Sequence, residues 1–119
     1  MKEERQDLRL RTKRFALRVI TMYSALPDRA VAQVLGKQVL GSGTSVGANY
    51  HEAYRARSKA EFISKVGDCL KELEETSYRL ELLVESGTVT PAKMAALLDE
   101  TNQLTAIFTT ISKNTKSGS

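Results

Sequence analysis

The sequence predicts an all-α protein, an antiparallel up-down-up-down four-helix bundle formed by a single domain over residues 1–119. Its 119 residues include only two prolines, so few positions interrupt long helices. Four segments repeat apolar residues at three- and four-residue spacings, and no segment shows the two-residue alternation of a strand. A chain of this length buries enough surface to form a core without disulfides or metal ions.

The first two helices are separated by a proline. An apolar stripe runs from Leu8 to Leu26, and Pro27 ends it because proline disfavours helical geometry in the preceding residue. We expect Asp28 to cap the second helix. The predicted helices cover residues 4–26, 29–56, 59–86 and 91–112, and residues 113–119 are expected to form a flexible tail.

The second helix contains a glycine-rich run at residues 41–49. Each glycine costs about 1 kcal/mol relative to alanine in a helix. Nevertheless, Val39, Val46 and Tyr50 continue the apolar period and no proline intervenes, so we predict an unbroken helix. We expect its small residues to let a neighbouring helix approach closely. The run is not a P-loop, because it lacks the Gly-Lys-Ser/Thr ending and follows no strand.

The third and fourth helices have clear start signals. Ser58 and Glu61 form a capping box, in which the two side chains accept from backbone amides. Thr90 is the predicted N-cap of the fourth helix, with Pro91 at its first position. Gly87 is expected to end the third helix. Short connections make successive helices antiparallel neighbours.

Positive charge is concentrated in the first half of the chain. The net charge is +4, but residues 1–59 carry 12 basic and 5 acidic side chains, whereas residues 60–87 carry 3 and 7. The predicted topology gathers the starts of the first and third helices and the ends of the second and fourth at one end, which we call the basic pole. It is either a solvated surface or a binding site for phosphate backbones. The candidate nucleic-acid-binding residues are Arg5, Arg9, Arg11, Lys13, Arg14, Arg55, Arg57 and Lys59.

The composition argues against several classes of chemistry. The chain has one cysteine, Cys69, and one histidine, His51, which excludes an intrachain disulfide and Cys- or His-rich metal sites. We therefore expect no catalytic residue, no metal and no cofactor. No apolar run approaches 18 residues, and no apolar segment follows the charged N-terminus as in a signal peptide. We expect a cytoplasmic protein that does not span a membrane.

Polar residues on the inner sides of the second and third helices suggest a buried polar contact. Asn49 is a candidate buried residue and must then be hydrogen-bonded, plausibly to Glu72 or Glu75. Such a contact would fix the register of the two helices. An enzyme built around Glu52, Glu72 and Glu75 is a further alternative, although helical carboxylates are usually solvated or paired.

Two stretches of the sequence, residues 45–52 and 58–83, carry a family resemblance. They resemble the bacterial four-helix-bundle proteins known as large-subunit (23S) ribosomal RNA intervening-sequence proteins, which are related to the accessory protein of diversity-generating retroelements. The resemblance implies an up-down bundle without established enzymatic activity that forms homo-oligomers, pentamers among them. Many relatives have tryptophan where this chain has Arg79. The matched polar residues complete a structural polar cluster of Ser45, Asn49, Glu52, Glu72 and Glu75.

Taken together, these observations predict a non-enzymatic oligomeric protein. In the first hypothesis it is an RNA- or nucleic-acid-associated scaffold that binds phosphate backbones through the basic pole. In the alternative, it is a protein–protein interaction adaptor that binds no nucleic acid. The adaptor would use the acidic side chains of the third helix, which are Glu72, Glu74, Glu75, Glu81 and Glu85.

Overall fold

Four antiparallel helices pack around one core in a computed structural model that describes residues 2–118, with side chains from residue 7 onward. The loops have four or five residues, which makes successive helices antiparallel neighbours. Among neighbouring helices, α2 and α3 pack most extensively, and α1 and α4 pack least. The predicted all-α four-helix bundle is confirmed. The helices are α1 (Lys2–Ser24), α2 (Ala30–Tyr54), α3 (Lys59–Glu85) and α4 (Pro91–Lys116).

Most helix ends differ from the prediction by one or two residues, and the end of α4 differs by four. Helix α4 continues to Lys116, so the first four residues of the expected flexible tail are helical. Thr115 Oγ1 donates to the carbonyl of Ile111 at 2.7 Å, and Ser112 is buried, which ties this last turn to the bundle. The expected Asp28 cap is wrong: Arg29 occupies the N-cap position of α2 and makes no side-chain capping bond.

Helix α2 runs unbroken through the glycine-rich segment, as predicted. A Cβ added to Gly43 would lie 2.8 Å from Val19 Cγ2, and one added to Gly47 would lie 3.4 Å from the carbonyl oxygen of Thr12. These two glycines therefore allow α1 to approach α2 closely. Gly41 has open space around it.

The caps of α3 and α4 largely follow the prediction. Ser58 Oγ accepts from the Glu61 amide at 3.0 Å, while the Glu61 carboxylate accepts from the amide of Arg57, one residue before the predicted partner. Thr90 Oγ1 accepts from the Lys93 amide at 3.3 Å. Gly87 has a φ of 77° directly after the end of α3, a conformation that favours glycine.

The core is formed by apolar side chains from all four helices. Tyr50 and Phe108 are fully buried, and their ring centroids lie 5.3 Å apart with the planes tilted by 56°. Cys69 is also buried, and its Sγ donates to the carbonyl of Val46 at 3.5 Å. Burial raises the pKa of this thiol to about 12, so Cys69 packs as a small apolar residue.

Candidate nucleic-acid interface

The basic pole presents cationic side chains to solvent. Lys13 and Arg14 are exposed on α1, and the loop and first turn of α3 add exposed Arg55, Arg57 and Lys59. None of these five side chains has an ion pair with a carboxylate in residues 7–118. The side chain of Arg5, also a predicted site residue, lies outside the described residues.

Nearby carboxylates are occupied elsewhere. Glu52 Oε1 lies 3.0 Å from Lys65 Nζ, and this hydrogen bond raises the pKa of Lys65. The Glu61 carboxylate accepts from the Arg57 amide at 2.8 Å, so it caps a backbone group. These acids therefore do not pair with the exposed cations of the pole.

Arg9 connects α1 to the end of α2. Its guanidinium carbon lies 4.6 Å from the centroid of the Tyr54 ring, and its Nη2 donates to His51 Nδ1 at 3.3 Å. Beside this contact, a groove of about 690 Å³ runs between α1 and α2, with Lys13 among its walls and the small residue Gly47 in its lining. The groove extends the cationic surface of the pole along the bundle.

Arg11 is a correction to the predicted site. Its Nε and Nη2 donate to the two carboxylate oxygens of Glu100 at 2.9 and 2.8 Å, and Nη2 also donates to Gln103 at 2.9 Å. This bidentate contact joins α1 to α4, and we call it the Arg11–Glu100 clasp. Because the clasp engages the guanidinium, Arg11 differs from the unpaired cations of the pole, and it would have to give up the Glu100 contact to bind a phosphate bidentately.

The family of the chain follows from its sequence match. Residues 4–110 match the family model described as 23S rRNA-intervening sequence protein. The chain belongs to this family. A crystal structure of a protein of unknown function from the S23 ribosomal protein family of Bacteroides thetaiotaomicron is similar to it, with 34% identity and a TM-score of 0.85. That match covers 92% of this chain and 97% of the other. No curated protein matches the sequence.

In this intervening-sequence protein, the predicted polar cluster is not one network. Ser45 Oγ donates to the carbonyl of Gly41 at 2.7 Å, Glu52 pairs with Lys65, and Glu75 lies 3.5 Å from an Arg79 nitrogen. The predicted hydrogen bond from Asn49 to Glu72 or Glu75 does not occur among the described residues. Ser45 and Glu75 instead bond within their own helices, and Glu52 pairs across to the half-buried Lys65 of α3.

The buried polar link between α2 and α3 is a pair of hydroxyls. Ser42 Oγ and Thr76 Oγ1 lie 2.7 Å apart in the core, and Thr76 Oγ1 also donates to the carbonyl of Glu72 at 2.8 Å. Because the single Thr76 proton goes to that carbonyl, Ser42 is the donor between the two side chains. The sequence signal for this pair was Thr76, a polar residue within the apolar stripe of α3.

Three further observations bear on the titratable groups and on the apolar character of the helices. Burial, with a further contribution from Glu75, raises the pKa of the half-buried Glu72. In residues 7–118, no group of three or more His, Cys, Asp or Glu side chains is placed to hold a metal ion. Across residues 2–118, no helix is both long and apolar enough to cross a bilayer.

The Arg11–Glu100 clasp makes stability depend on pH. The hydrogen bond from Arg11 lowers the pKa of Glu100 below its ordinary 4.5, so the clasp stabilises the folded state above that pH and is lost as pH falls through the lowered pKa. We expect Glu100→Gln to reduce the free energy of unfolding by about 1–2 kcal/mol at pH 7. The difference from the wild type should shrink below pH 4.5 in urea titrations followed by circular dichroism.

Glu72→Gln is the matched control for this experiment. The folded-state pKa of Glu72 is raised, so its charge destabilises the folded protein above that pKa. The variant should therefore be more stable than the wild type at pH 7, and its advantage should disappear in acid. Loss of stability in both variants at pH 7, or a pH-independent effect of Glu100→Gln, would contradict this assignment.

Proposed function

We propose that this protein is a non-enzymatic, homo-oligomeric RNA-associated scaffold of the cytoplasm that binds phosphate backbones through its basic pole. The observation that carries the proposal is the cluster of exposed Arg55, Arg57 and Lys59 with Lys13 and Arg14, which have no carboxylate partners among the described side chains. Exposed cations attract phosphates by releasing condensed counterions. Arginine adds bidentate hydrogen bonds to phosphate oxygens.

The same geometry favours binding that ignores base sequence. The exposed cations lie on helix surfaces and in a loop, and no base-reading motif accompanies them. Tyr54 lies beneath the Arg9 guanidinium, so its ring is already engaged. We therefore expect affinity to depend on salt and on the RNA backbone far more than on base identity.

Exposed apolar side chains support the homo-oligomer. Six large apolar side chains on three helices are 42–62% exposed. They are Leu10, Leu17 and Ile20 on α1, Val31 and Val34 on α2, and Tyr78 on α3. Apolar surface on several helices favours association between subunits. The pentamers implied by the family resemblance would bring several basic poles together and so strengthen the positive potential. Light scattering on the purified protein measures the assembly mass.

Charge reversal at the pole tests RNA binding. We expect a labelled single-stranded RNA to bind the wild type with an affinity that falls steeply between low and near-physiological salt. In the variant Arg55→Glu/Arg57→Glu/Lys59→Glu, the slope of log K against log salt should fall by roughly two, because each lost phosphate contact removes about 0.7 for a single strand. Fluorescence anisotropy at a series of salt concentrations gives both slopes.

The control variant carries the same change in net charge at other exposed positions. Arg29→Glu/Lys37→Glu/Lys93→Glu reverses three cations outside the pole, which are exposed and have no ion pair in residues 7–118. It should retain most of the wild-type salt slope. Equal losses in the two triple variants, or no binding by the wild type at low salt, would refute the proposed RNA interface.

The adaptor alternative is supported by the outer face of α3. Tyr78, 62% exposed, lies on one helical face with Glu74, Glu81 and Glu85, at spacings of four, three and seven residues. An exposed aromatic residue among carboxylates is suited to a basic protein partner. If the wild type fails to bind RNA at low salt, this face becomes the site to test with Tyr78→Ala.

The carboxylates of α2 and α3 have no chemical role in an RNA scaffold of this kind. Glu52 and Glu75 form ion pairs with Lys65 and Arg79. Glu72 has a raised pKa, but the catalytic alternative requires a second titratable group beside it in a pocket. Neither of the two grooves described for the bundle has Glu72 in its lining.

A further inference from the structure

The seam between α1 and α4 is held by one bidentate contact and opens into a cleft beyond it. The Arg11–Glu100 clasp joins the two helices near the middle of the bundle. Beyond it, the end of α1 and the start of α4 separate around a cleft of about 530 Å³. The cleft exists because α1 and α4 share no short loop and pack together least closely of the neighbouring helices.

Apolar side chains form most of the cleft. Its walls come from both helices, and the loops before α2 and before α4 add Pro27 and Val89 at one end. Two loops bound the cleft at one end, and the clasp lies further along the same seam. A cleft limited in this way suits a compact ligand better than a long helix of another subunit. Its volume lies within the range of sites that hold small molecules, roughly 300–1,000 Å³. The apolar lining includes Leu17, Met22, Leu26, Met94 and Leu97.

The charged side chains that line the cleft are both cationic. Arg18 and Lys93 are exposed, and neither has an ion pair with a carboxylate in residues 7–118. The nearby hydroxyls already bond locally: Thr21 Oγ1 donates to the carbonyl of Leu17 at 3.1 Å, and Thr90 Oγ1 accepts the Lys93 amide. An apolar body with one anionic group is therefore complementary to this lining.

We propose that the α1–α4 cleft binds a small amphipathic anion, an alkyl carboxylate whose chain lies against Met22 and Met94 and whose carboxylate pairs with Arg18 and Lys93. Burial of the chain supplies most of the binding free energy, in proportion to the apolar area removed from water. The two cations fix the orientation and select an anion over a neutral or cationic ligand of the same length. This site is separate from the basic pole and does not depend on RNA binding.

Methyl NMR of the full chain with decanoate as the probe tests the proposal. Decanoate, below its aggregation concentration, should shift the methyl signals of Met22 and Met94. Ala96→Phe places a ring in the cleft and should abolish these shifts, whereas Ala106→Phe, at an exposed alanine outside the cleft on the same helix, should not. Arg18→Gln/Lys93→Gln should weaken decanoate binding roughly tenfold and leave decanol binding unchanged.

Several results would overturn the proposal. They are no shift of either methionine, shifts that persist in Ala96→Phe, or equal affinities for decanoate and decyltrimethylammonium. Light scattering tests whether a second copy of the chain occupies the cleft instead. If Ala96→Phe lowers the assembly mass while Ala106→Phe does not, a second copy lies in the cleft and the ligand assignment fails. Circular dichroism tests whether the variants fold, and Ala25→Phe, which fills the same cleft from α1, replaces Ala96→Phe if that variant is unfolded.

Discussion

Replacing Phe108 with alanine should lower the free energy of unfolding by about 3–5 kcal/mol. Its side chain is fully buried, and its ring packs against that of Tyr50 at 5.3 Å between centroids. Alanine removes this packing and leaves a cavity that neighbouring α2 and α3 fill only partly. Urea denaturation followed by helical circular dichroism measures the loss from the change in midpoint.

Tyr78→Ala is the matched control for this substitution. Tyr78 is also aromatic and helical, but it is 62% exposed, so its removal should change the free energy of unfolding by no more than about 0.5 kcal/mol. Similar losses at the two positions would contradict the placement of Phe108 in the core and of Tyr78 on the surface. If the protein is an oligomer, both titrations are run at several concentrations, so that dissociation is separated from unfolding.

Gly43→Leu is the second substitution with a large expected effect, a loss of roughly 3 kcal/mol. Even a Cβ at this position would lie 2.8 Å from Val19 Cγ2 and 3.0 Å from Val19 Cγ1. A valine side chain in a helix has one strongly preferred rotamer, so it does not rotate away and α1 must move outward. The loss appears in the same urea titration as a lower midpoint.

Gly41→Leu separates the effect of space from that of helix propensity. Gly41 lies two residues earlier in α2, is exposed, and has no neighbouring atom within 4 Å of the position of an added Cβ. Leucine is the better helix former, so this variant should gain up to about 1 kcal/mol. A gain in both variants would mean that α1 and α2 are not held in close contact at Gly43.

The helices were predictable because their signals are local. The stripe through Val39, Val46 and Tyr50 has helical spacing, and it outweighed the low propensity of the glycines between them. Likewise, Ser58 and Thr90 are capping residues whose bonds reach only three positions along the chain. The end of α4 was predicted four residues too early. Residues 113–116 are polar and look frayed on composition alone, but they continue the helix beyond the buried Ser112.

Contacts between distant segments were not predictable in the same way. Arg11 and Glu100 are 89 positions apart, and Arg11 differs from its exposed neighbours Lys13 and Arg14 only in the direction it faces on α1. That direction depends on how each helix is rotated within the bundle, which the charge pattern does not encode. The same reason explains why the core contains a Ser42–Thr76 pair and not the expected contact of Asn49.

The sequence therefore predicted where the candidate interface lies, but not which of its cations have partners within the bundle. Topology alone brings Arg55, Arg57 and Lys59 to the end of the bundle where α1 begins. Which cations remain available depends on partners such as Glu100 for Arg11 and Tyr54 for Arg9. The charge-reversal experiment accordingly uses three of the five cations that have no such partner.

The burial of Cys69 has a practical consequence for work on assembly. A thiol with a pKa of about 12 is almost entirely protonated near neutral pH, and the surrounding core keeps oxidants and alkylating reagents away from it. Folded molecules therefore do not become cross-linked through this residue. A disulfide-linked dimer in non-reducing buffer would come from molecules that have opened, and the rate at which a maleimide labels the thiol reports how often the bundle opens.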